Sequence, residues 1–393
     1  MAQWNRVPLI DYIELIGGGT PKTTVPEYWN GNIPWLSVKD FNNDKRYVYS
    51  TEKHISQSGF ENSPTKMLHK DDIIISARGT VGEIAMIPFD MAFNQSCYGI
   101  RASRGIDQPF LYYLLKNCIS QLKRMTHGSV FDTITRDTFA NIEVDIPDAE
   151  TQKRISSVLA DIDNKIEVND AINDNLEQQA QSYFQELFVD NASPEWTTGT
   201  ISDLGTVVGG STPSKAKPEY YTESGIAWIT PKDLSINKSK FVSHGENDIT
   251  ELGLRNSSAS LMPEGTVLFS SRAPIGYIAI AAGEVTTNQG FKSVVPKPEI
   301  GTPFVYFFLK NTLPVIEGMA SGSTFKEVSG STMKNVSAVI PDAETLAKFS
   351  DFCAPIFAQQ RILEEQNQSL ATLRDNLLPK LMSGEIDVSA VQL

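Results

Sequence analysis

The sequence predicts an α+β protein built as two homologous α/β modules, each followed by one long helix. Three observations carry that reading. Short motifs recur in the same order at shifts of 192 to 194 residues. Each repeat closes on a segment rich in Leu, Ile, Gln, Glu and Asn whose apolar residues follow heptad spacing. The charge is also partitioned. Residues 146–195 hold 11 acidic against 3 basic side chains and residues 340–393 hold 8 against 4, whereas 1–145 (16 against 15) and 196–339 (12 against 12) are balanced. The net charge of −13 therefore belongs to the helical segments. The two balanced segments can each present one basic face, which the average conceals.

A chain of 393 residues, 40% hydrophobic and 21% charged, is ordinary globular material with room for several domains. No run of about 18 apolar residues marks a membrane span. The start, MAQWNRVPLIDYIEL, lacks the charged-then-apolar layout of a signal peptide. Cys97, Cys118 and Cys353 are far apart, without CxxC spacing, which argues against a zinc site or a disulfide framework. A reducing cytoplasm is the simplest location.

The first element reads as a strand over Leu9–Ile16, leading into GGGTPKTT (17–24). A phosphate-binding loop needs Gly directly before the Lys-Ser/Thr pair, so that backbone N–H groups wrap the phosphates. Pro21 stands there instead, with no N–H to give. The repeat settles the matter. GGGTP (17–21) returns as GGSTP (209–213), and Lys22 aligns with Ser214, so the second copy discards the residue that a nucleotide loop requires. A fixed Gly/Pro frame with a variable side chain reads as a turn that displays residues.

The correspondence continues in order. PEYW (26–29) returns as PEYY (218–221), and IPWLSVKDF (33–41) as IAWITPKDL (226–234). Arg78 and Gly82 match Arg272 and Gly276, and FNQS (93–96) matches TNQG (287–290). FLYYLLKN (110–117) matches FVYFFLKN (304–311), Gly128-Ser129 matches Gly322-Ser323, and IPDAET occurs at both 146–151 and 340–345. Such collinearity marks a tandem duplication.

The two helical segments keep one register. The first seam runs Ile155, Leu159, Ile162, Ile166, Asn169, Asn173, Leu176, Ala180, Tyr183, Leu187. The second runs Phe349, Cys353, Ile356, Gln360, Leu363, Asn367, Leu370, Arg374, Leu377, Leu381. Asp148 or Thr151 can cap the first helix, and Asp342 or Thr345 the second. Pro355 is expected to kink or interrupt the second helix. Asn173 and Asn367 hold equivalent mid-seam places; they either meet at the crossing of an antiparallel pair or are solvated where the seam splays. At about 1.5 Å per residue, 38 residues span about 57 Å, enough for a strut between modules. The acidic outer faces, such as 161–177, are expected to be solvated or to bind a partner protein, and their sign makes phosphate the least favoured contact.

Two variable modules opening on GG-x-TP, each with P-E-Y-W/Y, W-L/I-x-x-K-D, an Arg-Gly loop and Asn-Gln, alternate with two related helices, and the chain ends on LRDNLLPKLMSGEI. In this the whole chain resembles the specificity subunit of type I restriction–modification enzymes. The resemblance implies two α/β target recognition domains separated by a pair of long antiparallel coiled-coil helices with pseudo-twofold symmetry. Its segments would be domain 1 (1–147), the first long helix (148–190), domain 2 (191–341) and the second long helix with the tail (342–393). It implies that each domain reads one half of a split double-stranded DNA target while the helices set the separation of the halves. Two methyltransferase subunits would bind this scaffold, with restriction–translocase subunits as further partners. S-adenosylmethionine, ATP and Mg would belong to those partners, with no cofactor or metal in this chain.

The residues agree with a reader that performs no catalysis. An amino-methyltransferase would need an Asn/Asp-Pro-Pro-aromatic motif, and the chain has none. The acids of IPDAE have no E-x-K after them, and His54, His69, His127 and His244 are scattered. Modules that read different half-sites should differ at base-reading positions and agree at structural or phosphate positions. The shared residues Lys39, Lys232, Arg78, Arg272, Asn94, Gln95, Asn288 and Gln289 therefore take frame and backbone roles, and Trp35 and Trp228 are core. Readers are sought among Lys22, Lys45, Arg46 with Tyr47, and the 123–136 loop with Lys123, Arg124 and Arg136. In the second module they are sought among Lys215, Lys217, Lys238, Lys240 and Lys326. Ser129 and Ser323 sit in a Gly-Ser loop suited to phosphate. The alternatives are a subunit of a methylation-only assembly, an enzyme for which no motif was found, and a coiled-coil adaptor that binds protein alone. An adaptor would not need two diversified polar modules.

Overall fold

The computed structural model describes residues 4–126, 133–322 and 326–391. It divides into two compact units, residues 1–168 with 367–393 and residues 169–366. Each unit therefore joins one repeat module to part of both long helices, a grouping that the linear order of segments does not display.

In the first unit the chain enters along the strand Asn5–Pro8, antiparallel to Glu143–Ile146. A 3-10 turn, Leu9–Tyr12, follows, and the strand proper is Ile13–Gly17, so the single strand expected over Leu9–Ile16 is corrected. The cause is a change of partner. Asn5–Pro8 pairs with one strand and Ile13–Gly17 with another, Cys97–Ala102, and the turn between them buries Leu9 while its N–H bonds the Ile142 carbonyl at 2.9 Å. The main sheet runs Ile13–Gly17, Cys97–Ala102, Ile73–Ser76, Ile84–Met86, antiparallel throughout. A second sheet runs Lys53–Ile55, Trp29–Leu36, Met91–Phe93, Met67–Leu68, in which Trp29–Leu36 and Met91–Phe93 are parallel.

The run Ile73-Ile74-Ile75 is apolar without alternation because both faces of its strand are covered. Ile73 and Ile75 enter a core with Phe110, Leu111 and Tyr113 of the helix Gln108–Thr126, and Ile74 enters another with Leu36, Phe41 and Phe93. The second unit repeats this. Its main sheet runs Gly205–Gly209, Lys292–Pro296, Val267–Ser271, Ile275–Ala281, Phe241–Val242. Val267 and Phe269 face the helix Thr302–Gly318, while Leu268 joins Ile229, Leu234 and Phe291.

The long helices are Ala149–Gln185, continued by a π turn Glu186–Asp190, and Ala343–Met382. The aspartates supply the caps. Asp148 accepts the N–H groups of Glu150 and Thr151 at 3.1 and 3.0 Å, and Asp342 accepts that of Thr345 at 2.8 Å. These bonds lower both carboxyl pKa values by favouring the ionised form. The second helix continues through Pro355, which corrects the expected interruption. Pro355 and Asp351, whose carbonyl loses its N–H partner, are both exposed, so water can satisfy that carbonyl.

All twenty seam residues are buried or half-buried, Ile162, Ile166, Leu176, Leu187, Leu363, Asn367, Leu370 and Leu377 among them. Asn173 and Asn367 are both half-buried, and the Asn173 backbone carbonyl accepts the Gln360 side-chain amide at 3.1 Å. Inside each unit the helices run antiparallel. In the first unit Arg374 bonds Asp163 at 2.9 Å while Arg154, earlier in the first helix, bonds the Val388 carbonyl after the second at 3.3 Å. Ile155 and Leu159 share a core with Leu378, Leu381 and Met382. In the second unit Ala180 and Phe184 share a core with Phe349, Cys353 and Ile356. Each module thus has its helix pair as part of its own hydrophobic core. Among the described residues no helix is long and apolar enough to cross a membrane.

Candidate nucleic-acid interface

The opening Gly-Gly-x-Thr turn is fixed by the same bonds in both units. Gly19 N–H bonds the Phe93 carbonyl at 2.9 Å, and Ser211 N–H bonds that of Thr287 at 2.8 Å. The Trp35 indole N–H donates to the Gly19 carbonyl at 3.1 Å, and that of Trp228 to the Ser211 carbonyl at 3.0 Å. Asn94 N–H reaches the Leu36 carbonyl at 3.0 Å, as Asn288 N–H reaches that of Ile229 at 3.0 Å. Thr20 donates to the Gln95 side-chain carbonyl, and Thr212 to that of Gln289. A Cβ at Gly18 would collide with the Asn94 carbonyl, and one at Gly210 with the Asn288 carbonyl. The glycines are needed for this close approach, and the turn belongs to the frame. Trp35 and Trp228 are 6% exposed, core residues with a satisfied indole.

The arginine loop is likewise built twice. Ser76, at the end of its strand, accepts the Glu83 N–H at 2.8 Å and donates to the Thr80 carbonyl at 2.5 Å. Ser270 accepts the Tyr277 N–H and donates to the Pro274 carbonyl, both at 2.8 Å. Gly82 and Gly276 turn the chain back with φ of 86° and 95°, which glycine adopts without steric cost. Arg78 projects from this hairpin into solvent. Arg272 lies 3.5 Å from Glu327, an ion pair that Arg78 does not have among the described residues.

Three of the predicted residues, Lys39, Arg78 and Asn94, line one open cleft of about 450 Å³ in the first unit. Lys39 is placed there by a four-residue helix, Val38–Phe41, whose capping aspartate Asp40 takes the Ser37 N–H at 2.7 Å and the Glu52 N–H at 2.8 Å. The equivalent cap in the second unit is Asp233, which holds Lys232 near Glu246, 2.5 Å away. Lys53 completes the cationic lining of the cleft, its ammonium 5.7 Å from the centre of the Trp29 ring.

The other predicted residues are dispersed. Lys22, Lys215 and Lys217 are exposed after the Gly-Gly-x-Thr-Pro turn, Lys217 bonding the Tyr220 hydroxyl at 3.0 Å. Lys45, Arg124, Arg136, Lys238 and Lys326 are exposed, and Lys123 packs its stem beside Gly82. Ser129 and Ser323 lie outside the described residues.

Two assignments are corrected. Arg46 is 8% exposed, bonds Asn164 of the first long helix at 3.1 Å and lies against the Tyr47 and Tyr113 rings. Lys240 is 7% exposed, bonds Glu177 at 2.7 Å and Gln360 at 2.8 Å, and sits 3.5 Å from the centre of the Phe357 ring. Burial pushes the Lys240 ammonium down to about 8, partly offset by Glu177. Neither can reach a base, because each is enclosed between its module and the long helices.

Sequence reasoning missed Lys53, Glu52 and the matching Asn247 and Glu246. A shift of 194 pairs Glu52 with Glu246 and Lys53 with Asn247, a signal that was present in the repeat.

The family model of the type I restriction modification DNA specificity domain matches residues 1–178 and again 194–373. The chain belongs to this specificity family. Each match takes in one module and most of the long helix after it, as the duplication requires. One specificity-family relative is the type I restriction enzyme MjaIX specificity subunit of Methanocaldococcus jannaschii, 38% identical over 194 residues, covering 47% of this chain and 45% of that one. Another is the HindI specificity subunit of Haemophilus influenzae, 25% identical over 356 residues, covering 70% of this chain and 77% of that one. The chain thus matches less than half the length of the archaeal relative. The fold is shared with the crystal structure of a type I restriction–modification S subunit from M. genitalium, with a TM-score of 0.56 and 16% identity over 97% of this chain and 96% of that one.

Proposed function

We propose that this chain is the specificity subunit of a type I restriction–modification complex and performs no catalysis itself. Each module reads one half of a bipartite duplex target, and the long helices carry the methyltransferase subunits. S-adenosylmethionine, and ATP with Mg where a translocase joins, act in those partners. The observation that carries this reading is a frame built twice with matching hydrogen bonds, around exposed polar positions that differ between the copies. Readers of two unlike half-sites need that combination of constancy and divergence. Three unpaired, buried cysteines support a reducing cytoplasm as its location.

Module exchange tests it. Replacing residues 1–147 with the corresponding module of another family member should change one half of the methylated sequence and leave the other half intact. A change in both halves, or in neither, refutes modular reading.

A further inference from the structure

Lys53 and Asn247 occupy one structural position. Lys53 stands opposite Trp35 in the register of its sheet, and Asn247 stands opposite Trp228. The residue before each is a glutamate whose N–H bonds the capping aspartate at 2.8 Å, Glu52 to Asp40 and Glu246 to Asp233. The backbone at this position is therefore held in the same way in both units. Both side chains are exposed.

The residue types around them are kept. The neighbours Lys39, Arg78 and Asn94 have Lys232, Arg272 and Asn288 as their counterparts in the repeat, with Lys232 and Arg272 each paired to a glutamate, Glu246 and Glu327. Among these retained residue types the residue itself changes chemistry, from a cation on a long stem to a short carboxamide. These are two base-reading chemistries. A lysine donates to the O6 and N7 acceptors of guanine in the major groove, and an asparagine pairs with N6 and N7 of adenine. The flanking Lys and Arg, kept in both units, suit phosphates, which carry no sequence information.

We propose that residue 53 of the first unit and residue 247 of the second are specificity-determining positions, Lys53 reading a guanine and Asn247 an adenine, one in each half-site. The assignment rests on the specificity-subunit reading above. It goes further in separating readers from anchors inside one cleft.

The test replaces the chromosomal copy in the source strain with Lys53→Met, Lys53→Gln and Asn247→Lys in turn, and maps methylated adenines across the genome with the complex intact. Lys53→Met should relax the preference for guanine at one base pair of one half-site by about tenfold or more. Lys53→Gln should move that preference toward adenine, and Asn247→Lys should move one position of the other half-site toward guanine. In each case the untouched half-site, still read as before, reports that the protein is folded. The assignment is overturned if Lys53→Met lowers methylation equally at every site with the base preference intact, which is the behaviour of a phosphate contact. It is also overturned if the motif and its extent of methylation do not change. If the unaltered strain has no split motif that depends on this protein, the specificity-subunit reading falls, and this assignment with it.

Discussion

Arg374→Met should detach the second long helix from the first module at a cost that the structure sets. Arg374 is 3% exposed and faces three carboxylates, Asp163 and Asp44 at 2.9 Å and Asp375 at 2.8 Å. Burial disfavours its charge, but these partners outweigh that and raise its pKa, so it is always protonated. The three bonds are not equal. The Asp44 and Asp375 side chains are 68% and 58% exposed, so solvent screens them and each is worth at most about 1 kcal/mol. Asp163 is 4% exposed and accepts only one other bond among the described residues, from the Tyr113 hydroxyl at 2.6 Å. Methionine fills the arginine's volume while leaving that carboxylate buried without its cation, a loss of about 3–5 kcal/mol. Adding Asp163→Asn removes the orphaned charge and keeps the Tyr113 bond, so the double variant should recover at least about 2 kcal/mol. Because the chain has two units, one global unfolding midpoint would mix them. Amide hydrogen exchange over residues 155–163 and 374–381 reads the local opening energy directly. A single variant within about 1 kcal/mol of the parent refutes the argument, as does a double variant no better than the single.

Two further outcomes follow from particular contacts. Gly18→Ala should cost about 1–3 kcal/mol, since its Cβ meets backbone that cannot yield, whereas Gly17→Ala, with open space around it, should stay within about 0.5 kcal/mol, both read by amide hydrogen exchange in the first unit. Equal effects would remove the close approach as the reason for the glycine pair. In DNA binding by the assembled complex, Lys39→Ala and Arg78→Ala should each lower the salt slope by about 0.9. Lys232→Ala should lower it less, because Glu246 already neutralises that ammonium. Matching slopes for Lys39→Ala and Lys232→Ala would refute the asymmetry.

The duplication made the frame legible in the sequence. Residues kept in both copies, such as Asn94 with Asn288 and Gln95 with Gln289, make matching hydrogen bonds in the two units, a correspondence that one copy alone would not reveal. A lone Asn-Gln pair in a polar loop reads equally well as an adenine contact. The 3-10 turn at Leu9–Tyr12 was not legible, because its cause is a change of strand partner far away in the sequence. The continuity of the helix through Pro355 depends on which side of the helix faces water, which local propensity does not state.

Arg46 and Lys240 were legible by the same logic. Composition marks both as surface cations in polar loops, but they lie 194 residues apart and are therefore a retained pair, and retained pairs belong to the frame. Their backbones confirm it, the Arg46 carbonyl accepting Met86 N–H and the Lys240 carbonyl accepting Ile280 N–H, each at 2.7 Å. The helix pair then answers the same buried cation differently in each unit. The first unit gives Arg46 an uncharged partner, Asn164, and places its ion pair one step away at Asp163 and Arg374. In the second unit the positions equivalent to Asp163 and Arg374 are Phe357 and Ala180, both in the apolar core, and the ion pair is Glu177 with Lys240 itself. Each unit therefore carries buried ion pairing where its module meets its helices, built from non-equivalent residues: Arg374 with Asp163 and Asp44 in the first, Glu177 with Lys240 and Lys310 in the second. Each unit pairs its buried carboxylate with a cation because an enclosed charge left without its partner costs about 3–5 kcal/mol.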